Sequence, residues 1–178
     1  MNSPVPESAP VHVEPLLRAL DRQGIRYVLT GSVAAMAYGV SLVPGDLDIA
    51  PALTVENLRL CSVLLKELGA KPKHIPTWSE GLTLEECEKW VPDPPTEQNL
   101  DHRFVTAHGE LDLVLRHAGT YERLITRAVP MTVFDSRILV AHIDDLIALC
   151  EKWNRDTDRR RLPGLVAARD ALGKRGPR

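Results

Sequence analysis

The chain has 178 residues, with 22 Lys or Arg against 24 Asp or Glu and an apolar share of 44%. That length fits one domain with a real core, and no apolar run approaches the roughly 18 residues that span a bilayer. Three separated cysteines with no CxxC pair argue against a thiolate zinc site and for a reducing, cytoplasmic compartment.

The first residues, 1–11, are rich in proline and serine, lack the apolar stretch of a signal peptide, and read as a disordered lead. Val13, Leu16, Leu17 and Leu20 recur at helical spacing, and Gly24 supplies the stop. Ile25 to Thr30 is a short β-branched and aromatic strand, broken by Gly31-Ser32 before a short buried helix that Gly39 closes. After the Pro44-Gly45 turn, Asp46 to Ala50 alternates strictly, so Asp46 and Asp48 share one strand face and Leu47 and Ile49 the other. Thr54 caps a helix to about Leu68.

Residues 71–101 are the least regular, with a Thr83–Glu86 capping box before a short helix. Arg103–Thr106 and Glu110–Arg116 read as a hairpin around His108-Gly109. A helix over Tyr121–Ala128 and strands at Met131–Phe134 and Ile138–Ala141 follow. An amphipathic helix then spans Ile143–Trp153, and Pro163 opens a final helix through Leu172. The pattern is α+β: a small mixed β-sheet with flanking helices, plus C-terminal helices. It divides into the lead at 1–11, a core at 12–118, and an extension at 119–178, a strand hairpin with helices, packed on the core.

Three features carry chemistry. Gly31 opens a helix where backbone can approach an anion, and the Ser32 hydroxyl can add a hydrogen bond to phosphate. Asp46 and Asp48 lie about 7 Å apart at Cα on one face, an arrangement that repels itself without a cation. Hard oxygen ligands suit Mg²⁺ or Mn²⁺. Asp112, flanked by Leu111 and Leu113, stands on another strand and completes a two-metal site, one metal for the triphosphate and one for the attacking hydroxyl. The six histidines show no zinc spacing, and Trp78, Trp90 and Trp153 read as packing residues.

Taken together, Gly31-Ser32, Asp46-Leu47-Asp48 and Leu111-Asp112-Leu113 resemble the DNA-polymerase-beta-like minimal nucleotidyltransferase superfamily. The resemblance covers residues 13–116. It implies the nucleotidyltransferase fold and Mg²⁺-dependent transfer of a nucleoside monophosphate from a nucleoside triphosphate to an acceptor hydroxyl. Asp46, Asp48 and Asp112 would be the metal-binding catalytic residues, and Gly31 and Ser32 would bind the nucleotide. Residues 144–165 look like the C-terminal helices of toxin-type, AbiEii-like members, which implies that Lys152 or Arg155 contacts the triphosphate, with Asp158 completing the motif. Many relatives carry a basic residue and a threonine just before the Asp-x-Asp. Here Ser41-Leu42-Val43-Pro44-Gly45 stands instead, so either nucleotide binding is weaker or another arginine supplies that cation.

The toxin-type likeness implies an RNA (tRNA) or protein acceptor and an antitoxin partner. From Lys152 onward, nine Lys or Arg against three Asp favour RNA. An antibiotic-modifying nucleotidyltransferase is the alternative, and acidic residues Glu80, Glu85, Glu86 and Glu88 would suit a cationic drug. A catalytically silent nucleotide-binding module is a third reading, which the intact aspartate triad opposes.

Overall fold

The computed structural model describes residues 10–78, 81–116 and 121–174. Most of the lead, Glu80, His117 and the last basic residues, Arg175 and Arg178, lie outside them. In chain order the elements are α1 (Val13–Gln23), β1 (Tyr27–Thr30), α2 (Gly31–Ala37), β2 (Asp46–Pro51), α3 (Val55–Glu67) and β3 (Lys71–Pro72). Then come α4 (Leu84–Lys89), α5 (Glu97–Leu100), β4 (Arg103–Thr106), β5 (Gly109–Leu113) and α6 (Tyr121–Ile125). The last are β6 (Val129–Val133), β7 (Ser136–Val140), α7 (Ile143–Trp153) and α8 (Asp156–Lys174).

One mixed sheet of seven strands runs β3-β4-β5-β2-β1-β7-β6. β2 pairs in parallel with β5 and β1 in parallel with β7, while the remaining neighbours are antiparallel. The β6–β7 hairpin therefore extends the same sheet. The edge strand β3 falls in the stretch that looked irregular. Two residues are too few for a periodic signal, and Pro72 removes one donor there.

Local chemistry accounts for the boundaries. Leu16, Leu17 and Leu20 bury one stripe of α1, and Gly24 closes it in the left-handed region at φ 68°. Thr54 Oγ1 accepts the Asn57 amide to start α3, and the Thr83–Glu86 capping box forms as read. Asn57 is buried and ties the β1–β2 pair. It donates to the Arg26 and Ala52 carbonyls, and its Oδ1 accepts the Arg26 amide. Leu47, Ile49, Leu111 and Leu113 bury the sheet face opposite the aspartates.

The final helix begins earlier than Pro163 suggests. α8 starts at Asp156 because Asp158 Oδ2 accepts the Arg155 amide at 3.0 Å, half of a capping box. Pro163 lies inside the helix, where its missing N–H leaves the Arg159 carbonyl without an intrahelical amide. At Gly164 a β-carbon would meet Val40 Cγ1 at 2.6 Å, so the helix lies close on the loop that leads to β2. Among the described residues no helix is long and apolar enough to cross a membrane.

Candidate active site

Strand register assembles the site. Thr30 pairs with Asp48, Asp48 with Asp112, and Asp112 with Arg103, so these four side chains form one row across β1, β2, β5 and β4. Asp46 stands beside Glu110 in the neighbouring row of the same face. Asp46, Asp48 and Asp112 each offer a carboxylate oxygen within 4.8 Å of the others. Among the described residues they are the one such cluster of potential metal ligands.

Gly31 ends β1 at φ 67° and opens α2. A β-carbon there would lie 1.8 Å from Asp48 Oδ2, so glycine is required by space as well as by backbone angle. The Gly-Ser turn thus abuts the carboxylates directly.

The electrostatics are unbalanced. Burial, then the charges of Asp46 and Asp112, push the Asp48 carboxyl up to about 8, against the pull of Arg103 and Arg161. Burial also raises Asp112, with Arg103 opposing. Arg103 Nη2 lies 3.0 Å from Oδ2 of both Asp46 and Asp112. Burial disfavours its charge, but those two aspartates outweigh it and hold the guanidinium protonated. Arg103 contacts two of the three carboxylates, and a divalent ion would offset the burial and mutual repulsion that keep Asp48 raised. The all-oxygen donor set fits Mg²⁺ or Mn²⁺.

A cavity adjoins the triad. Thr30, Gly31 and Asp48 form one wall, Arg155 and Arg161 another, and Leu146, Leu149 and Trp153 supply apolar surface. Arg161 Nη1 donates to Ser32 Oγ at 3.2 Å, and its other terminal nitrogen pairs with buried Asp158. Arg155 Nε bonds the same carboxylate at 2.8 Å. Burial opposes the Asp158 charge, yet the hydrogen bonds from both arginines prevail and hold its carboxyl below the ordinary value.

The structure therefore brings together Gly31, Ser32, Asp46, Asp48, Asp112 and Arg155. Lys152 stands apart: it is exposed, its ammonium lies 5.2 Å from the Trp153 ring centroid, and it does not line the cavity. Two residues of the site, Arg103 and Arg161, escaped the sequence reading. The signal for Arg103 was the hairpin itself, since a two-residue loop closing Thr106 on Gly109 sets Arg103 opposite Asp112. The signal for Arg161 was its i,i+3 spacing from Asp158. Trp153, read as packing, faces the cavity, while Trp90 packs on Phe104 with ring centroids 5.0 Å apart.

No family model matches the chain, and no curated protein matches it in sequence. Solved structures do match its fold. The lincosamide antibiotic adenylyltransferase LnuA, with lincomycin bound, superposes with a TM-score of 0.60 at 12% identity, over 90% of this chain and 99% of that one. The antibiotic-resistance factor ANT(2'')-Ia in solution gives 0.54 at 12% identity, over 92% and 90%. Its complex with adenylyl-2''-tobramycin gives 0.54 at 10% identity, over 92% and 95%. The chain has the nucleotidyltransferase fold.

Proposed function

We propose that this chain is a metal-dependent nucleotidyltransferase that moves a nucleoside monophosphate from a nucleoside triphosphate to a hydroxyl of a small-molecule acceptor. The observation that carries the reading is the abutment of Gly31 on Asp48 within a row that also holds Asp112. A phosphate-approach turn and a three-carboxylate cluster share one edge. The intact triad opposes the reading as a silent nucleotide-binding module.

Each residue has a part in that chemistry. The Gly31 backbone and Ser32 hydroxyl receive the phosphates, while Arg161 and Arg155 neutralise the triphosphate from the α7–α8 side. Leu146, Leu149 and Trp153 offer apolar surface to the nucleoside. Mg²⁺ or Mn²⁺ held by Asp46, Asp48 and Asp112 would supply charge neutralisation at the phosphates and lower the pKa of the acceptor hydroxyl. An Asp112 carboxylate oxygen takes the acceptor's proton as the acceptor oxygen bonds the α-phosphorus. The bond from that phosphorus to the β-phosphate oxygen breaks, and pyrophosphate leaves.

A small acceptor is favoured over RNA or protein on two grounds. The chain spans nearly the whole of LnuA, described as acting on a lincosamide, and the ANT(2'')-Ia complex holds an adenylylated tobramycin. The basic C-terminal stretch is also partly committed: Arg155 and Arg161 face the cavity proposed for the triphosphate, which leaves fewer cations for an RNA acceptor. Arg155 and Arg161 pair with Asp158, Arg159 with Asp156, and Arg169 with Asp170. The toxin-type reading, with its antitoxin, has no support from these likenesses.

The test is incubation with each labelled nucleoside triphosphate, Mg²⁺, and separate panels of lincosamides, aminoglycosides, total RNA and cell protein. A small-molecule adduct is the expected product. Label in RNA or protein alone would overturn the acceptor class.

A further inference from the structure

We infer that Arg103 is a built-in competitor for the divalent cation, seated where Asp46 and Asp112 would otherwise share a metal. The inference rests on the reading of the triad as a metal site.

The geometry is specific. A single nitrogen, Nη2, reaches Oδ2 of both aspartates at 3.0 Å, and Nε reaches Asp112 Oδ2 at 3.2 Å. Those oxygens would coordinate Mg²⁺ at about 2.1 Å. A guanidinium held on those two oxygens opposes a divalent ion there, because like charges repel and each hydrogen bond occupies a lone pair that a metal would use. Arg103 is placed for this by β4 pairing, which sets it directly across from Asp112.

The surroundings also give the guanidinium somewhere to go. Glu110, 5% exposed on the same face, holds Oε2 4.0 Å from Arg103 Nη1. Lys73 pairs with the other oxygen of Glu110. Glu110 therefore lies beside the triad and can take a fuller share of Arg103 once the aspartates bind metal. The metal-free site stays compact because one cation substitutes for another, and Arg103 sets the threshold for loading.

Calorimetric Mn²⁺ titration of the wild type, Arg103→Gln, Arg103→Lys and Asp48→Asn tests this, together with thermal melts with and without Mn²⁺. Arg103→Gln should bind Mn²⁺ at least about ten-fold more tightly, melt lower without metal, and show the largest metal-induced rise in Tm. Arg103→Lys keeps the charge without the fork and should fall between. Weaker or unchanged Mn²⁺ binding in a folded Arg103→Gln, with Asp48→Asn weakened as expected, would overturn the competitor role and leave Arg103 as a support for Asp112. If the Lys variant alone folds, affinity at or below the wild-type value would overturn it equally. Mn²⁺ binding that Asp48→Asn leaves unchanged would instead refute the metal site itself.

Discussion

Gly31 and Asp48 touch so closely that a β-carbon on residue 31 would lie 1.8 Å from Oδ2 of Asp48. Gly31→Ala must therefore either displace the Asp48 carboxyl or shift the turn. The positive φ alone costs a non-glycine residue about 1 kcal/mol. Mn²⁺ affinity should fall at least several-fold, and valine should be worse. Calorimetry on folded variants checks this, and wild-type affinity in either would mean that the turn is merely structural.

In the proposed chemistry Arg161, which donates to Ser32 Oγ, supplies the cation that the loop before Asp46 lacks. Ser32→Ala should weaken triphosphate binding by about 1 kcal/mol for one lost hydrogen bond. Arg161→Lys should cost more, because a point charge cannot reach Ser32 and Asp158 together. A nucleotide-binding titration in which the lysine variant matches wild type would remove Arg161 from the phosphate site.

Asp158 links stability to pH. Its carboxyl is held below the ordinary value by Arg155 and Arg161 despite burial. A depressed folded value stabilises the protein above the unfolded value of about 3.9 and is lost as pH falls through the folded value. Asp158→Asn leaves the arginines without their counter-charge and should cost about 3 kcal/mol near neutrality, as for a broken buried pair. The gap to wild type should shrink below about pH 4. Urea unfolding across that range checks it, and a constant gap would contradict the assignment.

In the proposed chemistry Asp112 serves the transfer step more than nucleotide binding. Asp112→Asn keeps the side-chain shape, and Asp46 and Asp48 remain for the nucleotide's metal. Nucleotide binding should stay near normal while transfer falls by at least about 10²-fold, the lower end of general-base help. A nucleotide titration and a transfer assay on the same folded variant check this. Transfer at the wild-type rate would leave Asp112 as a structural ion-pair partner of Arg103.

The aspartates were legible because strand periodicity is local. Asp46 and Asp48 alternate with Leu47 and Ile49, and Asp112 sits between leucines, so each faces away from the core. The parallel register that sets Asp48 against Asp112 was not legible, since it depends on a crossover of some sixty residues. Arg161 was hidden by Pro163, a strong local start signal that the Asp158 cap overrides from further back in the chain. Lys152 shows the reverse. Its place in a sequence pattern suggested phosphate, whereas its position on α7 carries its ammonium over the Trp153 ring. The edge strand β3 escaped notice because its pairing with β4 is wholly long-range.

Metal-dependent nucleotidyl transfer is the activity proposed for the row that holds Asp48 and Asp112. The most direct measurement is acceptor-dependent pyrophosphate release by the wild type and by Asp48→Asn, with Mg²⁺ and with chelator, using the acceptor that the labelling panels identify. Release by the wild type should need nucleoside triphosphate, acceptor and Mg²⁺ together, and Asp48→Asn should reduce it by at least about 10²-fold. Release that persists in chelator, or in folded Asp48→Asn at the wild-type rate, would contradict that activity.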